Sequence, residues 1–154
     1  MARDAIVLVD ASGSMEEIGK WDIILNANRI LRRCSIRPEF CSSNISFYLW
    51  SKEVLPWTKG GCPLQGSADQ KKLEDFLSQC NSGDGVLFLS DGCFSPDRIS
   101  KIIREKQLFF LPVAIGADAD LRTLERISAI KYVYYVSTLI DALERVCFGS
   151  NKED

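Results

Sequence analysis

Oxygen-bearing side chains follow two apolar runs of the sequence at the point where each run ends. The side chains that alternate directly after the run at residues 5–9 are Asp10, Ser12 and Ser14. Gly13 allows this turn to fold tightly, so the three side chains can point to one centre. Asp91 follows a second run that begins at Val86. An all-oxygen set with few carboxylates suits a hard cation that keeps some water ligands, so we expect magnesium, with manganese or calcium as alternatives.

Predicted strands and helices alternate along the chain, and their order predicts how the two segments meet. We predict strands at residues 5–9, 45–50, 53–57, 86–89, 108–115 and 132–136. Apolar residues at helical spacing predict helices at 21–33, around Leu73 and Leu77, and at 96–105, 121–130 and 139–146. This alternation indicates right-handed crossovers and a doubly wound sheet, in which ligands bind at the carboxyl ends of the strands.

The fold class that this order predicts is α/β, with a mainly parallel, six-stranded, Rossmann-like sheet. The strands at 45–50 and 53–57 are close enough in sequence to form a hairpin. Pro56 places the second of them at the edge of the sheet, because proline cannot donate to a strand ladder. The length of 154 residues, 46% of them apolar, suits one domain, which we expect at residues 1–149 with a frayed tail at 150–154.

Charge and residue usage exclude several classes of function. Lys and Arg total 19 against 21 Asp and Glu, with no basic run, so we expect neither nucleic acid nor a membrane as a partner. The first residues lack the features of a signal peptide or membrane span, which favours a cytoplasmic location. Histidine is absent, which removes the Ser-His-Asp triad and the commonest zinc sites. The six cysteines form no Cys-x-x-Cys pair, so we expect free thiols.

The sequence resembles the von Willebrand A (integrin I-type) domains, whose metal-ion-dependent adhesion site begins with Asp-x-Ser-x-Ser after the first strand. Residues 10–14 match that element, and Asp91-Gly92 matches the family's Asp-Gly after the fourth strand. The family's middle element is a threonine in the loop just before a helix, and no threonine stands directly before the helix that begins near Asp69. Ser67 is the best substitute, because Cys62 is a poor ligand for a hard ion. The ligands that the resemblance implies are Asp10, Ser12, Ser14, Ser67 and Asp91.

Several candidate residues also have an interpretation that needs no metal. Ser67 suits the N-cap of the following helix as well as it suits a ligand. Asp118 and Asp120 lie at the predicted ligand edge, where they either contact the rim of the site or cap the helix from residue 121. Glu16 and Glu17 are expected at the rim, where they either select a partner by charge or are simply solvated. We expect Cys93 to pack as a small apolar residue, the alternative being a redox-sensitive thiol beside the site.

The resemblance implies a non-catalytic, metal-dependent protein-binding module, in which an Asp or Glu of a partner completes the coordination. Intracellular bacterial members of the family stand alone as single domains and are linked to ATPase, kinase and phosphatase partners, so we expect a partner of that kind. One alternative is a phosphatase or phosphotransferase of the haloacid dehalogenase type, although Ser12 stands where that chemistry needs a second Asp. The other alternative is a metal-independent scaffold, in which Asp10 and Ser14 only form local hydrogen bonds.

Overall fold

Six strands lie in one sheet in the computed structural model, which describes residues 2–17, 19–58 and 68–149. The strands are β1 (Ala5–Asp10), β2 (Ile45–Trp50), β3 (Val54–Pro56), β4 (Gly85–Ser90), β5 (Phe109–Ala114) and β6 (Tyr134–Tyr135). Their order across the sheet is β3-β2-β1-β4-β5-β6, with β2 and β3 antiparallel and the other neighbours parallel. This arrangement confirms the predicted α/β class with one short antiparallel edge strand.

Helices cover both faces of the sheet. In the described ranges they are α1 (Lys20–Ser35), α2 (Gln70–Gln79), α3 (Asp97–Lys106), α4 (Leu121–Ile127) and α5 (Leu139–Phe148), with 3-10 turns at Gly13–Glu16, Pro38–Phe40 and Val136–Thr138. Alternate residues of β1 face opposite sides, so Val7 and Val9 pack with α1 and α5, whereas Leu8 packs with α2, α3 and α4. Burial on both faces explains the uninterrupted apolar run. None of these helices has the length and apolarity that crossing a membrane requires.

The winding of the chain reverses at β1. From β1 the chain passes through α1 to β2 on one side, and from β3 it passes through α2 to β4 on the other side of β1. The pairing of Val9 with Leu89 brings the ends of β1 and β4 next to each other. Such a reversal leaves a crevice outside the carboxyl ends of the two central strands, which is where open α/β sheets bind ligands.

Two elements near the C-terminus are shorter than the apolar pattern predicted. Helix α4 ends at Ile127 rather than near residue 130, and β6 holds two residues instead of 132–136. A turn at Ser128 explains both differences, because its hydroxyl donates to the carbonyl of Tyr132 at 2.7 Å and accepts from the amide of the same residue at 3.2 Å. Lys131, inside this turn, has a φ of 59°, a left-handed conformation that interrupts regular structure.

A cluster of aromatic rings lies in the core on the side of the sheet that α2 and α3 cover. The ring of Phe88 is fully buried, and its centroid lies 5.5 Å from that of Phe110 and 5.7 Å from that of Phe94. Phe88→Ala should lower the free energy of unfolding by about 3–5 kcal/mol because it leaves a cavity. As a control, Ile36→Ala removes a side chain that is 84% exposed and should change it by less than about 0.5 kcal/mol. Urea denaturation followed by circular dichroism measures both, and equal losses would contradict the packing described.

Candidate metal centre

The turns that follow β1 and β4 meet at the switch point of the sheet. Asp10 is the last residue of β1, Ser90 is the last residue of β4, and Asp91 follows directly. All three are buried. The Ser90 hydroxyl donates a 2.7 Å hydrogen bond to Oδ2 of Asp10 and joins segments that are 80 residues apart in sequence. The structure therefore brings together the two segments that the sequence analysis singled out.

The Asp10 carboxylate is held from two sides. Its Oδ1 accepts a hydrogen bond from the amide of Ser12 at 2.8 Å, and its Oδ2 accepts the bond from Ser90. Each oxygen keeps a second lone pair that a cation or a water molecule can use. Burial raises the pKa of Asp10, the hydrogen bonds from Ser12 and Ser90 oppose this rise, and the negative charge of Asp91 adds to it. A carboxylate in this environment is stabilised when a cation binds beside it.

The hydroxyl pair of Ser12 and Ser14 has a spacing that suits a single ion. Their Oγ atoms lie 3.1 Å apart on the turn that leads into Gly13–Glu16. Two neighbouring ligands of an octahedral magnesium ion, each about 2.0–2.1 Å from the metal, lie roughly 3 Å apart. Among the described residues, no group of three or more His, Cys, Asp or Glu side chains is placed to hold a metal, so a metal at this turn would need hydroxyl ligands as well. The donor set fits a hard divalent cation.

A tight turn fixes Asp91 beside this pair. Its Oδ1 accepts from the amide of Cys93 at 3.1 Å, and the amide of Gly92 donates to the Ser90 hydroxyl at 3.0 Å. Gly92 has a φ of 79°, and a Cβ atom there would lie 2.7 Å from the backbone oxygen of Asp120. Backbone conformation and space both require glycine, which gives the Asp91-Gly92 pair a structural reason.

A buried lysine that the sequence analysis did not single out enters the site. Lys20 is the first residue of α1 and is 5% exposed. Its Nζ lies 3.1 Å from Oδ2 of Asp91. The same atom contacts the exposed carboxylates of Glu17 at 3.2 Å and Asp118 at 3.0 Å. The three carboxylates match the three N–H donors of an ammonium group, so the lysine is fully paired.

The ionisation of Lys20 follows from these contacts. Burial opposes the charge, but hydrogen bonds to the three carboxylates, that of Asp118 first, outweigh burial and raise the pKa of Lys20. The side chain is therefore a cation at neutral pH. The hydrogen bond from Lys20 in turn lowers the pKa of Asp118. The sequence held no signal for this contact, because the predicted helix begins at residue 21 and a lysine beside a surface helix is ordinarily solvated.

The remaining candidates occupy different positions around the site. Ser67 lies outside the described residues. Asp69 is the N-cap of α2, where its side chain accepts from the amide of Lys71 at 3.0 Å. Glu16 is exposed on the Gly13–Glu16 turn. Glu17 and Asp118 share Lys20 as described above, which places them at the rim of the site.

Two expectations about neighbouring residues have different outcomes. Capping of α4 is confirmed for Asp120, whose side chain accepts from the amide of Thr123 at 3.1 Å. For Asp118 the structure shows the ion pair with Lys20 instead. Packing of Cys93 as an apolar residue was wrong, because this thiol is exposed after the turn at Gly92. The described cysteines are free thiols, as expected.

Solved structures with the same fold include a matrix protein of the mussel byssus and a bacterial protein. No protein-family model matches the chain, and no curated protein sequence matches it. The proximal thread matrix protein 1 of the mussel byssus superposes over 95% of this chain and 46% of its own length, with a TM-score of 0.67 and 18% identity. Its form with a zinc-occupied MIDAS motif gives a TM-score of 0.54 at 17% identity, over 95% of this chain and 47% of its own length. This chain thus spans less than half the length of that protein.

A bacterial structure is similar over nearly its whole length. An aerotolerance-related membrane protein of Bacteroides fragilis, with multiple mutations to serine, superposes over 94% of this chain and 98% of its own, with a TM-score of 0.66 and 6% identity. At these identities the similarity establishes the fold alone. The chain has a von Willebrand A-like fold, as the resemblance in its sequence implied.

Replacement of Gly92 tests the turn that positions Asp91. Gly92→Ala should lower the free energy of unfolding by roughly 1–3 kcal/mol, because a positive φ and a close backbone oxygen both oppose a side chain. Gly83→Ala is the matched control, since Gly83 has a φ of 86° but no atom within 4 Å of the position that a Cβ atom would take. Gly83→Ala should therefore lower the free energy of unfolding by less, because it adds backbone strain but no steric contact. Chemical denaturation that gives Gly83→Ala the larger loss would contradict this account.

The raised pKa of Asp10 predicts a dependence of stability on pH. A raised pKa in the folded state means that the ionised carboxylate costs stability: the cost is absent below the unfolded pKa, grows as pH rises from the unfolded to the folded pKa, and is complete above the folded pKa. Asp10→Asn removes the charge and keeps an acceptor for the Ser12 amide. In a chelator, Asp10→Asn should therefore be more stable than wild type at pH 7, with a gap that closes on acidification. Urea titrations across this pH range measure the gap, and a less stable variant at pH 7 contradicts the prediction.

Proposed function

We propose that this chain is a non-catalytic, divalent-metal-dependent protein-binding module in which a carboxylate of a partner completes the metal coordination. The observation that carries the proposal is the convergence of Asp10, Asp91 and the paired hydroxyls of Ser12 and Ser14 at one edge of the sheet. Magnesium is the proposed ion, with manganese or calcium as substitutes, and Ser67 is the proposed further ligand. Zinc in the MIDAS motif of the mussel protein supports a divalent metal in a fold of this type.

The buried charges supply a reason for the site to select a carboxylate. Asp10 and Asp91 together do no more than offset the charge of a divalent ion, and Lys20 has Glu17 and Asp118 as its own partners. An Asp or Glu from a partner would displace a water molecule from the ion and gain a short ionic contact in a partly dry interface.

The burial of Asp10 favours binding over phosphoryl transfer. The side chain is 0% exposed and both of its oxygens accept hydrogen bonds, whereas a nucleophile has to reach the phosphorus atom in line with the leaving group. Ser12 also cannot act as the general acid that a second Asp would provide. We therefore expect no phosphate release from an aryl phosphate with magnesium present. Release that is lost in Asp10→Ala would favour the haloacid dehalogenase-type alternative instead.

Metal binding is tested by calorimetric titration with magnesium, manganese and calcium. Asp10→Ala should weaken binding roughly 10- to 100-fold or more, because it removes a carboxylate and the acceptor that orients Ser12 and Ser90. Asp75→Ala is the control, since Asp75 is an exposed carboxylate on α2 and should leave affinity unchanged. Wild-type protein that takes up none of the three ions would favour the metal-independent scaffold.

Partner binding is tested by comparing captured proteins under two conditions. Wild type and Asp75→Ala should retain a partner in manganese and release it in a chelator, because the metal bridges the two proteins. Asp10→Ala should retain none of this set in either condition. Mass spectrometry of the eluates identifies the partner, whose exposed Asp and Glu residues are then replaced one at a time. Capture that survives both the chelator and Asp10→Ala would refute metal-mediated binding.

A further inference from the structure

Lys20 is the only cation described within hydrogen-bond distance of the proposed ligand Asp91. Its Nζ donates to Oδ2 of Asp91 at 3.1 Å, and the other oxygen, Oδ1, already accepts from the amide of Cys93. Nζ also lies 3.4 Å from the backbone oxygen of Ser14, so the ammonium group borders both halves of the site. Like charges in a site of low dielectric repel each other strongly. A divalent ion that uses Asp91 would therefore compete with a cation supplied by the chain itself.

The surrounding structure makes specific room for this lysine. Gly116 has a φ of 88°, which itself favours glycine, and a Cβ atom there would lie 2.8 Å from Cε of Lys20, so this position leaves space for the lysine side chain. Gly19, with a φ of 89°, is the N-cap of α1 and directly precedes Lys20. The helix dipole opposes a cation at that position, and burial opposes it further. The three carboxylates that contact Lys20 outweigh these two costs and keep its charge beside Asp91.

We propose that Lys20 is a tethered cation that holds Asp91 in an ion pair and thereby weakens the binding of a divalent metal in the free protein. The inference rests on the proposed function, because it assigns a metal to the same site. The ammonium group pairs with Asp91 before the metal arrives, and the metal has to share that carboxylate with it. Glu17 and Asp118 offer Lys20 alternative partners at the rim, so the lysine can remain paired when the metal takes Asp91.

The opposite role for Lys20 leads to the opposite result, which makes the inference testable. If the ion pair only held Asp91 in the orientation that the metal requires, loss of Lys20 would weaken metal binding. Lys20→Met keeps the length of the side chain and removes the charge. Lys20→Gln removes the charge and keeps a donor for Asp91. Lys20→Arg, the control, keeps both the charge and the donor.

The experiment is calorimetric titration of the three variants and wild type with manganese. Lys20→Met and Lys20→Gln should bind manganese about tenfold more tightly or better, because the competing charge is gone, and Lys20→Arg should stay within a few-fold of wild type. Thermal unfolding gives an independent readout. In a chelator both neutral variants should melt below wild type, since Asp91 has lost its counter-ion, and saturating manganese should raise their melting temperatures more than that of wild type.

Failure of this inference is distinguishable from failure of the proposed function. Wild type that binds manganese, with neutral variants that bind it equally or more weakly, overturns the role of Lys20 and leaves the metal site in place. Wild type that binds no manganese, with neutral variants that do, supports the role of Lys20 and refutes the proposed metal dependence of the natural protein. Absence of manganese binding in all four proteins overturns both.

Discussion

The geometry of the site depends on one buried carboxylate. Asp10 ends β1 at the place where the winding of the sheet reverses, and its two oxygens accept from the turn that follows β1 and from Ser90 of β4. These bonds tie two segments that belong to separate crossovers. Ser90 extends the link by accepting from Gly92, so the turn that presents Asp91 is attached to the same carboxylate. The ionised form is unfavourable in this buried position, and the site is therefore built around a group that a cation would stabilise.

The fold could be predicted from the sequence because its signals are local and repeated. Apolar runs of strand length alternate with amphipathic segments, and Pro56 marks the edge strand. The convergence of Asp10 with Asp91 could also be predicted, since parallel neighbouring strands end at the same edge. The ends of α4 and β6 could not be predicted from the apolar pattern. That pattern continues past Ser128, whose hydroxyl forms a turn that interrupts both elements.

Lys20 shows why the electrostatics of the site could not be read from the sequence. Its contact with Asp91 joins residues 71 positions apart, and a lysine on a surface helix is ordinarily solvated. Burial of an ion pair seldom adds to stability, because desolvation of both charges offsets their attraction. The exposure of Cys93 has a similar origin, since the direction of the chain after Gly92 depends on a turn packed against Asp120. In both cases the exposure of the side chain depends on tertiary contacts, which the local sequence does not specify.

The two halves of the site lie far apart in sequence, so the site is complete only after β1 and β4 have paired during folding. The bond between Ser90 and Asp10 closes over 80 residues, and β4 pairs with β1 only after the hairpin and α2 have been passed. A nascent or partly folded chain that lacks this pairing has the first turn but not the second carboxylate. Contacts of such high sequence separation are slow to form, because the entropy of closing the intervening loop is lost before the contact is gained. Under the proposed function, ion uptake would report completed folding, and a newly made molecule would become competent for recognition only once its central strands are paired.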